Sequence, residues 1–180
     1  LYPAQVDFFR AMGVQTASMW HYSMPRYAPY RNGSHHLSLT INHVKAAAYT
    51  VAVALFKSLQ LYHNYDTTSP TEKLTNNYMY SYSKDLSAYS SKEIYVHAGD
   101  MIGEKILKPK KGVKKIIGFG NSSLVSYGGN GMYSLDISEE QLNIEIQPNI
   151  EQLKPLWGKD FLVSLVTKLD YDSQRVMTLN

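Results

Sequence analysis

Apolar and polar positions follow two different periods along this chain. In residues 3–12, Val6, Phe9 and, less regularly, Phe8 and Met12 fall on a helical spacing, with Asp7 and Arg10 turned toward water. Pro3 suits the first turn of such a helix, and Gly13 stands where a left-handed C-terminal cap belongs. Residues 14–22 then read as a strand of small and apolar side chains, covered on both faces and ending in Trp20, His21 and Tyr22. Two prolines and a glycine break the segment 23–34 into a loop, long for a βα connection. A second helix is predicted over 39–61, rich in alanine and capped by Ser38 or Thr40. Between Val44 and Leu59 it is apolar nearly all round. It should therefore lie wedged between a parallel sheet and a second structural unit.

From Thr71 the period shortens. Strand-like runs occur at 78–82, 93–97, 105–107, 115–119, 123–126, 132–137, 142–147, 162–169 and 175–179. The alternation is plainest in Leu142-Asn-Ile-Glu-Ile. Gly99-Asp100, Gly128-Gly129-Asn130-Gly131 and Pro148-Asn149 punctuate these runs, and the whole reads as an antiparallel sandwich.

Charge sharpens this division. Residues 1–65 hold Arg10, Arg26, Arg31, Lys45 and Lys57 against Asp7 alone, and His21, His35, His36, His43 and His63 also fall there. The remainder is nearly balanced, which places a boundary near 66–71. At 180 residues, 44% hydrophobic and 18% charged, the composition is that of an ordinary globular protein. A net charge of +3 gives no warrant for nucleic acid. Without cysteine there is neither a disulfide framework nor thiol chemistry. The apolar run 44–56 is too short for a membrane span of about 20 residues. No signal peptide is visible, and the chain opens directly into a helix, as a segment from inside a longer polypeptide would.

Candidate chemistry centres on the end of the 14–22 strand. Strand C-termini face the active site in open α/β sheets and in (β/α)₈ barrels. Trp20 there can stack on a sugar ring and His21 can bond a hydroxyl, with Tyr22, Arg26, Tyr27, Tyr30 and Arg31 as a polar, aromatic wall. Against this stands Trp20 as a core aromatic with the tyrosines packing the loop. His35-His36 and His43 lack the converging ligands a zinc site needs and read as local hydrogen-bonding groups at a helix entrance. No phosphate loop, nucleophile elbow or zinc-protease helix occurs, and the reading calls for no cofactor. Glycoside hydrolysis needs two carboxyl groups flanking the bond. Asp7 stands alone in 1–65, and most of Glu93, Asp100, Glu104, Asp136 and Glu145 look like solvent-facing alternates. The basic run 108–115 lacks interleaved aromatics and reads as a solvated hairpin. Asn32-Gly-Ser and Asn121-Ser-Ser match a glycosylation pattern that is common by chance.

The stretch Phe8-Phe-Arg-Ala-Met-Gly-Val-Gln-Thr-Ala-Ser-Met-Trp-His-Tyr22 and the alanine-rich helix after it resemble the end of a (β/α)₈-barrel glycoside hydrolase. Such enzymes often close with a strand ending in Trp, an eighth helix and a C-terminal β-sandwich. The resemblance implies an α/β barrel remnant (helix–strand–helix) over 1–65, followed by an all-β antiparallel sandwich over 71–180. It implies a part of a polysaccharide- or oligosaccharide-degrading enzyme, with Trp20 lining a sugar subsite and the catalytic carboxylates outside this chain. The expected partners are carbohydrate and the remaining N-terminal barrel segment, in the same chain or a separate one, without nucleic acid. The expected location is secreted, periplasmic or at a bacterial cell surface. Two further classes fit the residues: a non-catalytic carbohydrate-binding or accessory module, and a structural assembly protein.

Overall fold

A computed structural model of the chain describes residues 2–18, 42–153 and 166–180. Helix α1 spans Tyr2–Ala11 and α2 spans His43–Ser58. α1 ends in a Schellman cap: Val14 N–H reaches Phe9 O at 2.9 Å and Gly13 N–H reaches Arg10 O at 3.1 Å. Gly13, at φ 82°, supplies the left-handed step. α2 is capped by Asn42, whose side chain accepts from Lys45 N–H at 3.2 Å. The expected caps Ser38 and Thr40 lie outside the described residues.

Seven strands form one mixed sheet: β1 (Glu72–Leu74), β2 (Tyr78–Ser81), β3 (Leu86–Ser90), β4 (Ile94–Ala98), β5 (Lys115–Phe119), β7 (Tyr133–Ile137) and β8 (Leu142–Ile146), side by side in that order. β1 to β4 are an antiparallel meander, β4 and β5 run parallel, and β5, β7 and β8 are again antiparallel. β6 (Val125–Tyr127) pairs with β11 (Met177–Leu179), and β9 (Asn149–Leu153) pairs with β10 (Val166–Asp170).

The sheet is covered on both faces, so its central strands are buried at successive positions rather than alternate ones. On one face Tyr78, Tyr80 and Val96 meet Val51 and Leu55 of α2, with Ala4 and Val6 of α1 beside them. On the other, Met79, Tyr95, Ile116, Tyr133 and Leu135 meet Met101, Leu107 and Val113. These last three belong to the crossover 99–114, which runs across the sheet without a helix. It is stitched down by Tyr95 O–H to Leu107 O at 3.2 Å and Leu107 N–H to Met79 Sδ at 3.1 Å.

This architecture overturns the expected barrel remnant and antiparallel sandwich. After α1, residues 14–18 form no strand and are largely exposed. The rest of the expected 14–22 strand lies outside the described residues. Instead of flanking a parallel strand, the two helices pack on each other, Tyr2 edge-on to Tyr49 and Arg10 over Phe56 at 5.0 Å. Both then settle on the β unit. The apolar girth of α2 finds its cover on that sheet. The basic run 108–115 is likewise no hairpin. It ends the crossover between parallel strands, with Val113 buried and Lys110 N–H bonded to Ser90 Oγ at 3.0 Å. The 105–107 segment forms no strand.

Candidate functional site

Three polar constellations stand out among the described residues. The first is built on Asp7. Pro3, Asp7 and Ala11 recur every four residues and form the buried stripe of α1. The register that buries Pro3 and Ala11 therefore takes the carboxylate inward too, and Asp7 is fully buried. The amphipathic pattern alone predicts the opposite, a water-facing Asp7. Its Oδ1 accepts from His63 Nε2 at 2.8 Å and from Tyr78 O–H at 3.2 Å. Its Oδ2 accepts from Lys73 Nζ at 2.8 Å and from Tyr80 O–H at 2.7 Å. Burial alone would raise the Asp7 pKa. The hydrogen bonds from Lys73, Tyr80 and His63 and the Lys73 charge outweigh it, and the net shift is downward. Tyr80 is pushed strongly upward by burial and by the facing carboxylate.

This carboxylate is a fixed anion held by groups from a loop, β1 and β2. Every lone pair is engaged and its proton affinity is low, the reverse of what a general acid or base at neutral pH requires. It fastens the helix pair to the sheet. The other side of His63 faces the Gln60 carbonyl at 3.0 Å, so the ring bridges that loop carbonyl and the carboxylate.

The second constellation lies in the core. His97 is enclosed between Tyr95, stacked at 5.4 Å, and Tyr133. Its Nδ1 faces Gly99 O at 3.1 Å and must carry a proton there. Burial pushes its pKa down to about 4, against the weaker pull of Gly99 and Asp100. The neutral ring then presents Nε2 as an acceptor to the Tyr133 hydroxyl at 2.8 Å. That hydroxyl also lies 3.0 Å from Gly120 O. Gly118 makes the arrangement possible, because a Cβ there would land on His97 Nε2 and the Tyr133 ring. Both rings are buried, so the pair serves packing.

The third is an open groove of about 400 Å³ at one end of the sheet, with Ile94 and Ile137 in its lining. Its charges are paired: Lys114 with Glu93 at 3.1 Å and Lys115 with Asp136 at 2.8 Å. Ser138, Gln141 and Asn143 add neutral donors and acceptors. Such a lining can bond hydroxyl groups, yet it offers no aromatic platform and no unpaired carboxylate.

The predicted sugar contacts Trp20, His21, Tyr22, Arg26, Tyr27 and Tyr30 lie outside the described residues, as do Arg31, His35 and His36. His43 is inside them and buried, its Nε2 donating to Pro148 O at 3.1 Å, which ties α2 to the connection between β8 and β9. The amino-acid pattern alone does not reveal the Asp7 cluster. Its one signal was a lone carboxylate among five cations, four residues from two small or apolar positions on the same helix face. Comparison with protein-family models, with curated proteins and with solved structures returned no match.

Proposed function

We propose that this chain is the accessory end of a polysaccharide- or oligosaccharide-degrading hydrolase. Its β unit is fastened through Asp7 to a helix pair that carries the rest of the enzyme, and the catalytic carboxylates come from outside the chain. The observation that carries this reading is the outer side of α1. At 100° per residue, Phe9 and Met12 lie on the far side from Pro3, Asp7 and Ala11, and Phe8 lies on the flank between. Phe8, Phe9 and Met12 remain 43%, 36% and 56% exposed. A helix already anchored to one body by a buried ion cluster, and still apolar on its other side, is suited to joining two bodies. On α2, Val53 adds to the uncovered apolar surface.

The carboxylates support the same reading. Asp7 is sequestered, and Glu93 and Asp136 are each bound to a lysine. The resemblance of residues 8–22 to a glycoside hydrolase supplies the substrate class, with Trp20 as the sugar-stacking residue.

The test is hydrolysis of a panel of β-linked glycans by the purified chain and by the longest reading frame that contains it. The longer polypeptide should release reducing ends and the isolated chain should not. Turnover by the isolated chain, or none by the longer polypeptide, would overturn the reading.

A further inference from the structure

The two edges of the seven-stranded sheet differ. β1 is short and carries Glu72 and Lys73, a protected edge. β8 is longer, has neither proline nor lysine, and has no strand on its outer side among the described residues. Its hydrogen-bonding parity can be read from its neighbours. Ile137 N–H turns to Lys114 O on the β5 side, while Gln147 N–H turns to Met132 O on the β7 side. Peptide groups alternate along a strand. Those of Asn143 and Glu145 therefore face β7, and those of Leu142, Ile144 and Ile146 face outward. The side chains of the same three residues share one face and are 43%, 48% and 38% exposed. Backbone donors and acceptors thus stand unpaired beside an apolar stripe.

We propose that two copies of this chain associate edge to edge through β8, antiparallel about a twofold axis at Ile144. This inference is independent of the hydrolase reading. The sequence of β8 is nearly its own mirror about that residue. Ile144 would meet Ile144 of the other copy, and Leu142 would meet Ile146, each pair exchanging both of its outward backbone bonds. The apolar stripe would continue unbroken across the join. On the opposite face Glu145 would lie across from Asn143, an uncharged acceptor and donor.

Neighbouring registers fail on charge or parity. An axis at Glu145 opposes two carboxylates directly, which destabilises a strand pair. An axis at Asn143 sets Ile146 against Glu140. An axis between two residues fails on parity, because it opposes an outward peptide group to one already committed to β7.

The experiment is sedimentation velocity over a dilution series of the whole chain, with circular dichroism to check folding. The unaltered chain should show a concentration-dependent dimer. Ile144→Lys, which opposes two ammonium groups at the axis, should sediment as a folded monomer. Asn143→Lys, which sets a cation across from Glu145 at both ends, should tighten the dimer several-fold at low salt and less at high salt. A monomer at every concentration of the unaltered chain would overturn the proposal. So would a folded Ile144→Lys variant that still dimerises, or an Asn143→Lys variant whose dimer is weaker. Should Ile144→Lys fail to fold, the direction of the Asn143→Lys effect decides.

Discussion

Truncating Asp7 to alanine tests the clamp between helices and sheet. Removing one partner of a buried ion pair costs about 3–5 kcal/mol, because the remaining charge is left unpaired. Here Lys73 and His63 keep 20% and 18% of their side-chain surface in water, so both can be partly rehydrated. The hydroxyls of Tyr78 and Tyr80 have no such route and lose a charged acceptor. The expected loss is therefore at the lower end, about 3 kcal/mol. For a chain of this size that lowers Tm by roughly 6–12 °C. Urea unfolding followed by circular dichroism measures it. Asp7→Asn keeps the shape and tests the charge. The folded-state pKa of Asp7 lies below its ordinary value of about 3.9. Its stabilising contribution is thus fully present above about pH 4 and is lost as pH falls through the lowered value. Asp7→Asn should abolish that part of the acid profile. A loss under about 1 kcal/mol for Asp7→Ala, or acid profiles of the same shape for the unaltered chain and Asp7→Asn, would refute the clamp.

Three other outcomes are expected. His97 has a folded pKa of about 4 against about 6.5 unfolded, so the unfolded state binds more protons between those values and stability falls on acidification through that window. His97→Gln should flatten that part of the curve in pH-dependent denaturation. Gly118→Ala should cost about 1–3 kcal/mol by forcing His97 and Tyr133 apart, seen as a lower urea midpoint with an unchanged slope. On the proposed hydrolase reading, Trp20→Ala in the longer polypeptide should weaken glycan binding several-fold, since an aromatic contact contributes on the order of 1 kcal/mol beyond its area. Affinity and thermal unfolding measured together check it: a large fall in Tm with unchanged affinity would place Trp20 in the core.

Much of the local structure was legible in the sequence. Gly13 announced the cap of α1 because only a left-handed residue closes that motif cheaply. Alternation in 142–146 and the runs at 78–82, 115–119 and 132–137 located strands because side-chain period is a local property. The strands at 72–74, 86–90 and 149–153 gave no strand signal, being short or rich in polar residues. The assembly was not legible. Apolarity all round α2 said that it would be covered, and the β sheet supplied that cover where a parallel sheet had been expected. Asp7 was misread because an aspartate on an amphipathic helix normally marks the wet face. Its partners lie 56 to 73 positions further along, beyond the reach of any periodicity argument. His97 and Gly118 are coupled through a neighbouring strand and gave no signal either.

The parallel pairing of β4 with β5 bears on how quickly this chain reaches its fold. β1 to β4 are joined by short turns, so each strand finds its neighbour within a few residues of chain. β5 cannot dock on β4 until the crossover 99–114 has been laid over the apolar face, because parallel neighbours require such a connection. In chain order that closure is the first long connection within the sheet. In the finished sheet β7 and β8 stand beyond the edge that β5 presents. The rate of folding should accordingly track the crossover: weakening the seat of Met101 or Leu107 slows assembly of the second half while the meander forms at its own pace.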